Sequence, residues 1–350
     1  MNRLLLKLLA LLLACAPLLP AHAQAPVPPE VAAKAYLLLD VGSDQVLAER
    51  QADVRVDPAS LTKLMTAWLV FDALKARKLS LEQALPVSLR AWSERKGGGS
   101  LMFIDTTMTP KVDELLRGMI AVSGNDAAVA LAEGVGGTLD GFVGMMNRQA
   151  QAWGLKNSQF KNVTGLTEAG HYSSARDLSL IAAHIVRDFP EHYAAYYALR
   201  NYSFNAIKQD NRNMLLGRDA AVDGMKTGYT DAAGYCLIAS AQREFPNGKR
   251  RLISVVMGAG SREGRAAESQ KLLNWGFTAW DAIRLFEPGK AAATVPVWKG
   301  QAPTAALGAA GAIVVAVPKG EGEKLKTTIA RTDPLVAPLA QGQKVGTLEV

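Results

Sequence analysis

The chain has 350 residues, of which 49% are hydrophobic, and a formal net charge of +7. Charges of both signs are interspersed, and no basic tract is interleaved with aromatic residues, so the composition argues against a nucleic-acid partner. A mildly basic chain of this length suits a polyanionic wall or an anionic membrane surface, and it can form one large domain and one small one.

The first 23 residues have the pattern of a signal peptide. Arg3 and Lys7 precede an apolar run from Leu8 to Ala14, and Ala21-His22-Ala23 fits a cleavage site. The apolar run is too short to span a bilayer. Leu12-Leu13-Ala14-Cys15 also resembles a lipoprotein processing site, but cleavage after Ala23 is favoured because an ordinary Pro-rich start follows. Losing Arg3 and Lys7 would lower the net charge from +7 to +5, and the mature protein would be exported.

Cleavage after Ala23 would leave Cys236 as the remaining cysteine, so no intramolecular disulfide is expected. Cys236 lies in the apolar segment Gly234-Tyr235-Cys236-Leu237-Ile238, which predicts a buried, unreactive thiol. Histidine, cysteine and acidic residues do not cluster at metal-ligand spacing. We therefore predict neither a metal nor an organic cofactor.

Hydrophobic periodicity along the rest of the chain predicts both strands and helices. In chain order these are a hairpin over 33–50, a helix from 58 to about 76, a helix from 109–110 to 123–125, helices from 126, over 139–153 and over 174–186, β-rich runs over 228–243 and 249–257, and a helix over 265–280. After Glu287-Pro288-Gly289 the pattern changes to short apolar runs broken by Gly and Pro. That change predicts a small all-β domain.

The first candidate for catalysis is Ser60, at the start of an apolar helical run. Asp57 fits the N-cap of this helix and Pro58 fits its first position. Lys63 follows Ser60 by three residues, so both side chains should project from one face. A hydroxyl, an amine that can take its proton and an unpaired backbone N–H would then meet in one turn. Acyl transfer through a serine ester requires these three groups.

Ser-x-x-Lys alone is a weak signal, because Ser93 and Ser158 begin the same pattern in polar stretches with no following apolar helix. Ser123-Gly124-Asn125 lies between two predicted helices, where a helix end with a glycine turn would look the same. Lys226-Thr227-Gly228 lies at the head of a β-rich run, where a solvated lysine is equally ordinary. The three motifs together are far more specific than any one of them.

In this order the three motifs form the signature of penicillin-binding proteins and class A β-lactamases. From about 31 to 280 the chain resembles the low-molecular-mass D-alanyl-D-alanine carboxypeptidases of the penicillin-binding group, which are peptidases of the S11 type. The segments that resemble this family are 58–66, 123–128, 172–177, 211–213, 222–228 and 264–265.

The resemblance implies an α/β (α+β) fold, in which a β-lactamase/transpeptidase-like antiparallel sheet is flanked by helices and followed by a small all-β domain. We predict a signal peptide over 1–23, a catalytic domain over 30–284 and a β-rich C-terminal domain over 288–350. Relatives with this β-domain commonly end in an amphipathic helix on the membrane surface, whereas this chain stops in what reads as an unfinished strand at 346–350. Peripheral inner-membrane association is expected only if such a helix is missing here.

The family's activity would be removal of the terminal D-Ala from peptidoglycan stem peptides in the bacterial periplasm, with acylation of Ser60 by β-lactams. Ser60 is then the nucleophile, Lys63 its base and Ser123 a proton relay. Lys63 must be neutral near pH 7, and both its burial and the like charge of Lys226 would favour that. The residues predicted to bind substrate are Asn125, Arg212, Lys226, Thr227, Gly228, Tyr229 and Arg265.

Two departures from relatives bear on the pH dependence and the rate of deacylation. Relatives often have histidine at the position of Tyr229, and some have histidine at the position of Thr164. Two alternatives stay open at this point. A class A-like β-lactamase would need a glutamate that holds the deacylating water, and no Glu-x-x-x-Asn lies between the second and third motifs. A β-lactam sensor that stays acylated would normally carry a transmembrane helix, which the sequence does not display.

Overall fold

The computed structural model describes residues 25–246, 248–287, 289–309 and 311–350. The predicted signal peptide and Cys15 lie outside these residues. The first part of the described chain consists of β1 (Ala35–Asp40), β2 (Gln45–Arg50), a 3₁₀ turn (Ala59–Thr62), α1 (Lys63–Lys75), α2 (Leu89–Ser93), a second 3₁₀ turn (Glu94–Lys96), α3 (Val112–Ala121), α4 (Asn125–Gly136), α5 (Leu139–Ala152), α6 (Ala175–Asp188), α7 (Pro190–Tyr196), β3 (Asn201–Phe204), β4 (Ile207–Asp210), β5 (Val222–Thr230), β6 (Gly234–Phe245), β7 (Gly248–Ala259) and α8 (Arg262–Ala279).

Five strands form an antiparallel sheet in the order β2-β1-β7-β6-β5. Its two faces pack against different helices, because successive side chains of a strand point to opposite sides. On β7, Ile253 and Val255 join a core with the helices α1 to α7, whereas Leu252 and Val256 join a core with α8. The predicted antiparallel sheet flanked by helices is confirmed.

Helix α1 crosses the larger core and is buried on nearly all sides. The predicted start of this helix is wrong in detail. Asp57 does not cap it; Pro58 precedes a 3₁₀ turn without a capping side chain, and the α-helix begins at Lys63. Ala59 has a φ of +47°, and a left-handed residue cannot continue a right-handed helix from Pro58. Ser60 therefore lies in a tight turn in front of α1.

The predicted β-rich run over 228–243 is two strands rather than one. β5 ends at Thr230 and β6 begins at Gly234, whose φ of +69° suits the turn between them. Lys226-Thr227-Gly228 therefore lies within β5, and the prediction that it opens a strand is wrong. β5 is the last strand in the order of this sheet, so one of its edges is free to face the 3₁₀ turn that carries Ser60.

The remaining elements differ from prediction mainly at their ends. The helix predicted over 265–280 starts at Arg262, where the Ser261 side chain accepts a hydrogen bond from the Gly264 N–H and caps it. Helix α7 and the β3–β4 hairpin were not predicted from the sequence. Both lie in the polar and aromatic stretch before β5, where neither a helical nor a strand period is sustained.

The C-terminal part is all-β apart from one 3₁₀ turn. It consists of β8 (Trp280–Phe286), β9 (Ala291–Trp298), β10 (Thr304–Gly308), β11 (Ile313–Pro318), a 3₁₀ turn (Gly322–Lys324), β12 (Thr328–Arg331), β13 (Leu335–Val336) and β14 (Gly346–Glu349). β8 pairs with β11, so the predicted boundary at 284–288 cuts through a strand pair. The last strand, β14, was predicted to be an unfinished strand without a partner, but it pairs with β12.

The C-terminal part is attached to the five-stranded sheet by specific hydrogen bonds. The Gln45 side chain donates to the Ala316 carbonyl at 3.0 Å and accepts from the Ala316 N–H at 2.6 Å, which imitates one rung of a β-ladder. Arg250 pairs with Asp40 in the interior at 2.7 Å and donates to the Trp280 carbonyl. No helix among the described residues has the length and apolarity needed to cross a membrane.

Candidate active site

The three motifs meet in a cleft of about 280 Å³ between β5, the first 3₁₀ turn and the N-terminus of α4. The predicted site residues that line this cleft are Ser60, Ser123, Asn125, Arg212, Thr227, Gly228, Tyr229 and Arg265. Lys63 and Lys226 lie beneath its floor, 1% and 2% exposed. The structure therefore brings all ten predicted residues to one site. A larger cavity of about 820 Å³ at the other end of α1 contains none of them.

Lys63 lies at the centre of the site and has three hydrogen-bond partners. Its Nζ is 2.9 Å from Ser60 Oγ, 2.7 Å from Asn125 Oδ1 and 2.7 Å from the Thr164 carbonyl oxygen. The amide and carbonyl oxygens can only accept hydrogen bonds. A neutral amine can donate to these two oxygens, and its lone pair is then directed at the Ser60 hydroxyl. The arrangement suits a base that takes the Ser60 proton.

The surroundings of Lys63 favour its neutral form. The pKa of the Lys63 amine is lowered to about 7, mainly by burial; the charge of Arg212 acts in the same direction, while Glu94 and Asp126 act in the opposite direction. Burial was predicted as a cause, and the predicted repulsion between Lys63 and Lys226 is present, since the charge of Lys63 lowers the pKa of Lys226. Arg212 is a further like charge, which was not predicted. An amine with a pKa near 7 is half deprotonated at neutral pH, as a general base should be.

Ser123 and Lys226 form a second hydroxyl–amine pair opposite the first. Lys226 Nζ donates to Ser123 Oγ at 2.9 Å and to the Thr227 carbonyl at 3.0 Å. Burial, followed by the like charges of Lys63, Arg212 and Arg265, holds the Lys226 pKa well below its usual range. Ser123 itself has a φ of +65°, an unusual conformation for serine that is typical of functional sites.

Backbone N–H groups near Ser60 are available for an oxyanion. The first hydrogen bond of the 3₁₀ turn runs from the Leu61 N–H to the Pro58 carbonyl, so the Ser60 N–H lies before it and is not used by the turn. β5 approaches closely at this point: a Cβ on Gly228 would lie 3.2 Å from the Ser60 nitrogen. The absence of a side chain at Gly228 therefore lets the strand backbone lie beside the nucleophile.

The guanidinium group of Arg265 is directed mainly at backbone carbonyls and only partly at the cleft. It is 3% exposed, and it donates to the backbone carbonyls of Gly228, Cys236 and Arg212 at 3.0, 3.4 and 3.3 Å. Burial lowers the Arg265 pKa to about 10. The expected role in carboxylate binding is therefore weaker than predicted, because Arg265 mainly connects β5, β6 and the segment that carries Arg212.

Arg212 is better placed to meet a ligand, because its side chain is exposed at the cleft and contacts Ser100 Oγ. Arg262, which the sequence analysis did not single out, also lines the cleft. Its position could have been inferred from the adjoining family-like segment at 264–265, since it lies one helical turn from Arg265 on α8. The cleft thus presents two exposed guanidinium groups.

Asp126 is a second residue that the sequence analysis missed. It is 2% exposed, and its carboxylate accepts hydrogen bonds from the backbone N–H groups of Met102, Phe103 and Ile104 at 2.8, 2.8 and 3.1 Å. These bonds fix residues 102–104 and thereby hold the preceding residues, 98–100, at the cleft. There the Ser100 carbonyl accepts a hydrogen bond from the Asn125 N–H. The position of Asp126, directly after the Ser-x-Asn motif, is the signal in the sequence that could have identified it.

His171 lies near the site but has no place in the proton transfers. Its Nδ1 accepts from the Lys161 N–H at 3.0 Å, so the ring proton is on Nε2, which lies 2.8 Å from Thr62 Oγ1. Burial lowers the His171 pKa to about 4, so the ring is neutral at pH 7. It supports Thr62 in the first 3₁₀ turn.

Gly165 keeps the Thr164 carbonyl in reach of Lys63, and we expect Gly165→Ala to impair acylation. Gly165 has a φ of +84°, and a Cβ there would lie 1.8 Å from the Ala59 carbonyl oxygen. Gly170→Ala is the matched control: its φ is +80°, but its Cβ would meet only the flexible end of a lysine and an amide oxygen.

Both substitutions carry the strain of a left-handed alanine, about 1–2 kcal/mol. Only Gly165→Ala adds the clash, so we expect acylation by benzylpenicillin to fall at least about tenfold more than in Gly170→Ala. Rates of adduct formation and thermal unfolding of both variants would be measured. Equal acylation rates in the two variants would contradict this role of Gly165.

No group of three or more His, Cys, Asp and Glu side chains that could hold a metal ion is found in the described ranges. Cys236 is a free, fully buried thiol whose pKa burial raises to about 11. The prediction of a buried thiol is confirmed.

Comparison with known proteins gives two family matches. Residues 22–261 match the model of the D-alanyl-D-alanine carboxypeptidase family of S11 peptidases, and residues 280–350 match that of the penicillin-binding protein 5 C-terminal domain. The chain is 44% identical to D-alanyl-D-alanine carboxypeptidase DacA of Escherichia coli K12, over 91% of this chain and 79% of that protein. It is 43% identical to the Haemophilus influenzae DacA, over 91% and 81%.

Solved structures agree with these matches. The chain resembles penicillin-binding protein 5 from Haemophilus influenzae with a TM-score of 0.87 and 43% identity, covering 92% of this chain and 93% of that one. It also resembles penicillin-binding protein D2 from Listeria monocytogenes in its ampicillin-bound form, with a TM-score of 0.64 and 32% identity, covering 72% and 100%.

Proposed function

Because the chain belongs to the D-alanyl-D-alanine carboxypeptidase family of S11 peptidases, we propose that its carboxypeptidase activity follows a serine mechanism (EC 3.4.16.4) on peptidoglycan stem peptides. Ser60 is the nucleophile and Lys63 its base. The observation that carries this proposal is the position of Lys63 Nζ, 2.9 Å from Ser60 Oγ with two acceptor-only oxygens as its other partners.

In the proposed acylation, Ser60 Oγ attacks the carbonyl carbon between the last two D-Ala residues, and its proton moves to Lys63 Nζ. The Ser60 N–H, together with the Tyr229 N–H on β5, stabilises the oxyanion. The C–N bond then breaks. Ser123 gives its hydroxyl proton to the departing nitrogen and recovers one from Lys226 Nζ, 2.9 Å away.

Deacylation completes the proposed cycle. Water bonds to the ester carbonyl carbon, the C–Oγ bond breaks, and one proton of the water returns to Ser60 Oγ. Lys63 has by then gained a proton and Lys226 has lost one, so the two lysines together hold as many protons as at the start. Transfer of the extra proton from Lys63 to Lys226 restores the resting enzyme.

The terminal carboxylate of the substrate would be bound by Lys226, Thr227 and Arg212, and Asn125 would bind the substrate amide through the side-chain nitrogen that does not face Lys63. Charge-assisted hydrogen bonds of this kind are roughly twice as strong as neutral ones. We therefore expect peptides ending in free D-Ala to be cleaved and their C-terminal amides to be poor substrates, by about 10²-fold in kcat/KM. Equal release of D-Ala and D-Ala-amide would exclude a carboxylate clamp.

Acylation of Ser60 by β-lactams is part of the proposal, because the relative from Listeria monocytogenes has been solved in ampicillin-bound and cefotaxime-bound forms. One experiment separates this proposal from its alternatives: the lifetime of the benzylpenicillin adduct, measured beside D-Ala release. We expect a slowly hydrolysed adduct and D-Ala release. Fast drug turnover without D-Ala release would favour a β-lactamase, and a stable adduct without D-Ala release would favour a sensor.

We further propose that the protein acts in the bacterial periplasm, in line with its cell-wall relatives, after removal of residues 1–23. N-terminal sequencing of the mature protein tests the cleavage site after Ala23, with Gln24 as the expected first residue. A lipid-modified Cys15 at the mature N-terminus would contradict it.

A further inference from the structure

Glu94 is a buried acid near the active site that the proposed reaction steps do not use. It opens the second 3₁₀ turn, and its side chain is 3% exposed. One of its carboxylate oxygens, Oε1, pairs with Arg90 at 2.5 Å. The other, Oε2, is buried and has no hydrogen-bond partner among the residues that the structure describes. A buried carboxylate of this kind is unfavourable unless a second positive charge compensates it.

Glu94 belongs to a segment that packs on the elements around Lys63. The second 3₁₀ turn contacts helix α4, whose first residue, Asn125, accepts a hydrogen bond from Lys63 Nζ. At the other end of this turn, a Cβ on Gly97 would lie 3.8 Å from the loop that follows Thr164. The Thr164 carbonyl is another acceptor of Lys63. The segment that carries Glu94 thus touches the elements that supply two of the three hydrogen-bond partners of Lys63.

Among the described residues, Glu94 is the charge that acts most strongly on Lys63. Burial is the main cause that lowers the Lys63 pKa; Glu94 raises this pKa, Arg212 lowers it, and Asp126 raises it by less than Glu94 does. Lys226 is a further cation of this group, because the charge of Lys63 lowers its pKa. Two acids therefore act on a group of three cations beneath and beside the cleft.

The two acids differ in how far their charge is already neutralised. The Asp126 carboxylate accepts three backbone N–H bonds, whereas Glu94 has Arg90, whose side chain is 51% exposed and therefore screened by water. The cations of its own turn, Arg95 and Lys96, are exposed and directed at other groups. The negative charge of Glu94 is thus left to act on the buried amine.

We propose that Glu94 is a positioning residue for the base: its buried carboxylate stabilises the ammonium that forms when Lys63 takes the Ser60 proton. The inference rests on the mechanism proposed above, in which that transfer starts acylation. A nearby carboxylate favours the charged form of an amine. Glu94 therefore opposes the effect of burial, and Lys63 keeps enough proton affinity to act as a base while part of it is neutral at pH 7.

The test is the pH dependence of acylation by benzylpenicillin in Glu94→Gln, which keeps the shape of the side chain and removes its charge. Without the carboxylate, Lys63 loses its proton at lower pH, so the midpoint of the rate profile should fall by about half a pH unit or more. At pH 6 the variant should then retain about threefold more of its own plateau rate than wild type does. The plateau itself should be lower, because a weaker base accepts the proton less readily.

Two controls separate charge from shape. Glu94→Asp keeps the charge and shortens the side chain, so its midpoint should stay closer to wild type than that of Glu94→Gln, whatever its overall rate. Glu191→Gln removes one negative charge from an exposed position at the other end of α1, and its midpoint should equal that of wild type. Glu94→Met, which is also neutral, takes the place of Glu94→Gln if that variant does not fold.

A midpoint that stays at the wild-type value in Glu94→Gln would overturn the inference, and so would an equal shift in Glu191→Gln. A rate lowered by the same factor at every pH would mean that Glu94 only supports the fold. Failure of the proposed function looks different, because the wild-type protein would then form no benzylpenicillin adduct at any pH.

Discussion

Replacing Ser60 with alanine is expected to lower D-Ala release by about 10⁴-fold or more and to abolish the covalent penicillin adduct. The reason is that, within the described part of the chain, no other hydroxyl has both an amine with a pKa near 7 within 2.9 Å and an unused backbone N–H beside it. Ser123, which also has an amine partner, is 4% exposed and is proposed as the relay. Mass spectrometry of the labelled protein would locate the adduct.

Ser93→Ala is the matched control for Ser60→Ala, because Ser93 begins the same Ser-x-x-Lys pattern. Its hydroxyl donates to the Arg90 carbonyl at the end of a short helix, away from the cleft lining. Its adduct yield should equal that of wild type. Both variants should unfold within a few degrees of wild type. Full labelling of Ser60→Ala, or an adduct mapped to another serine, would refute Ser60 as nucleophile.

Lys63→Arg is expected to slow acylation by about 10²-fold or more. Arginine keeps the positive charge and the hydrogen-bond donors, but its pKa above 12 prevents it from accepting the Ser60 proton at neutral pH. Asn125 and Thr164 would still have a cationic partner, so the substitution removes the base more than the local attraction. Stopped-flow or quenched measurement of adduct formation would give the rate constant.

The pH dependence separates a base from a structural partner. Because burial lowers the pKa of Lys63 to about 7, its neutral form grows as the pH rises through 7, and the acylation rate should rise with it and level off above. Lys63→Arg should lack this rise. Lys161→Arg replaces an exposed lysine in the Ser-x-x-Lys pattern that begins at Ser158, and this variant should keep the rise. Near-normal acylation by Lys63→Arg would mean that Lys63 only supports the fold.

The three motifs, together with the family resemblance that they support, were enough to predict the site's ten residues and the antiparallel sheet flanked by helices. The predicted residues line or underlie one cleft, while their individual roles stay predictions. The errors lie at places where local pattern is ambiguous. Ala59 with its positive φ breaks the expected cap at Asp57, and a three-residue turn divides a long β-rich run into β5 and β6.

By itself, the sequence determined which reactive groups this protein has and which are neighbours along the chain. The spacing of Ser60 and Lys63 is local, so helical geometry relates them before any packing occurs. Periodicity likewise determined most helices and strands, because each buries one face against a common core. These properties depend on residues within a few positions of each other.

Only the tertiary structure decided how the reactive groups are completed. The other two partners of Lys63, Asn125 and Thr164, are 62 and 101 positions away along the chain. Burial of Lys63 lowers its pKa, and that burial exists only once α4 and the 164–167 loop have packed around α1. The backbone carbonyls that accept hydrogen bonds from Arg265 also belong to distant segments, which only the packing of the chain brings together. Hydrogen-bond partners and desolvation depend on which distant segments meet, and no local pattern in the sequence specifies that.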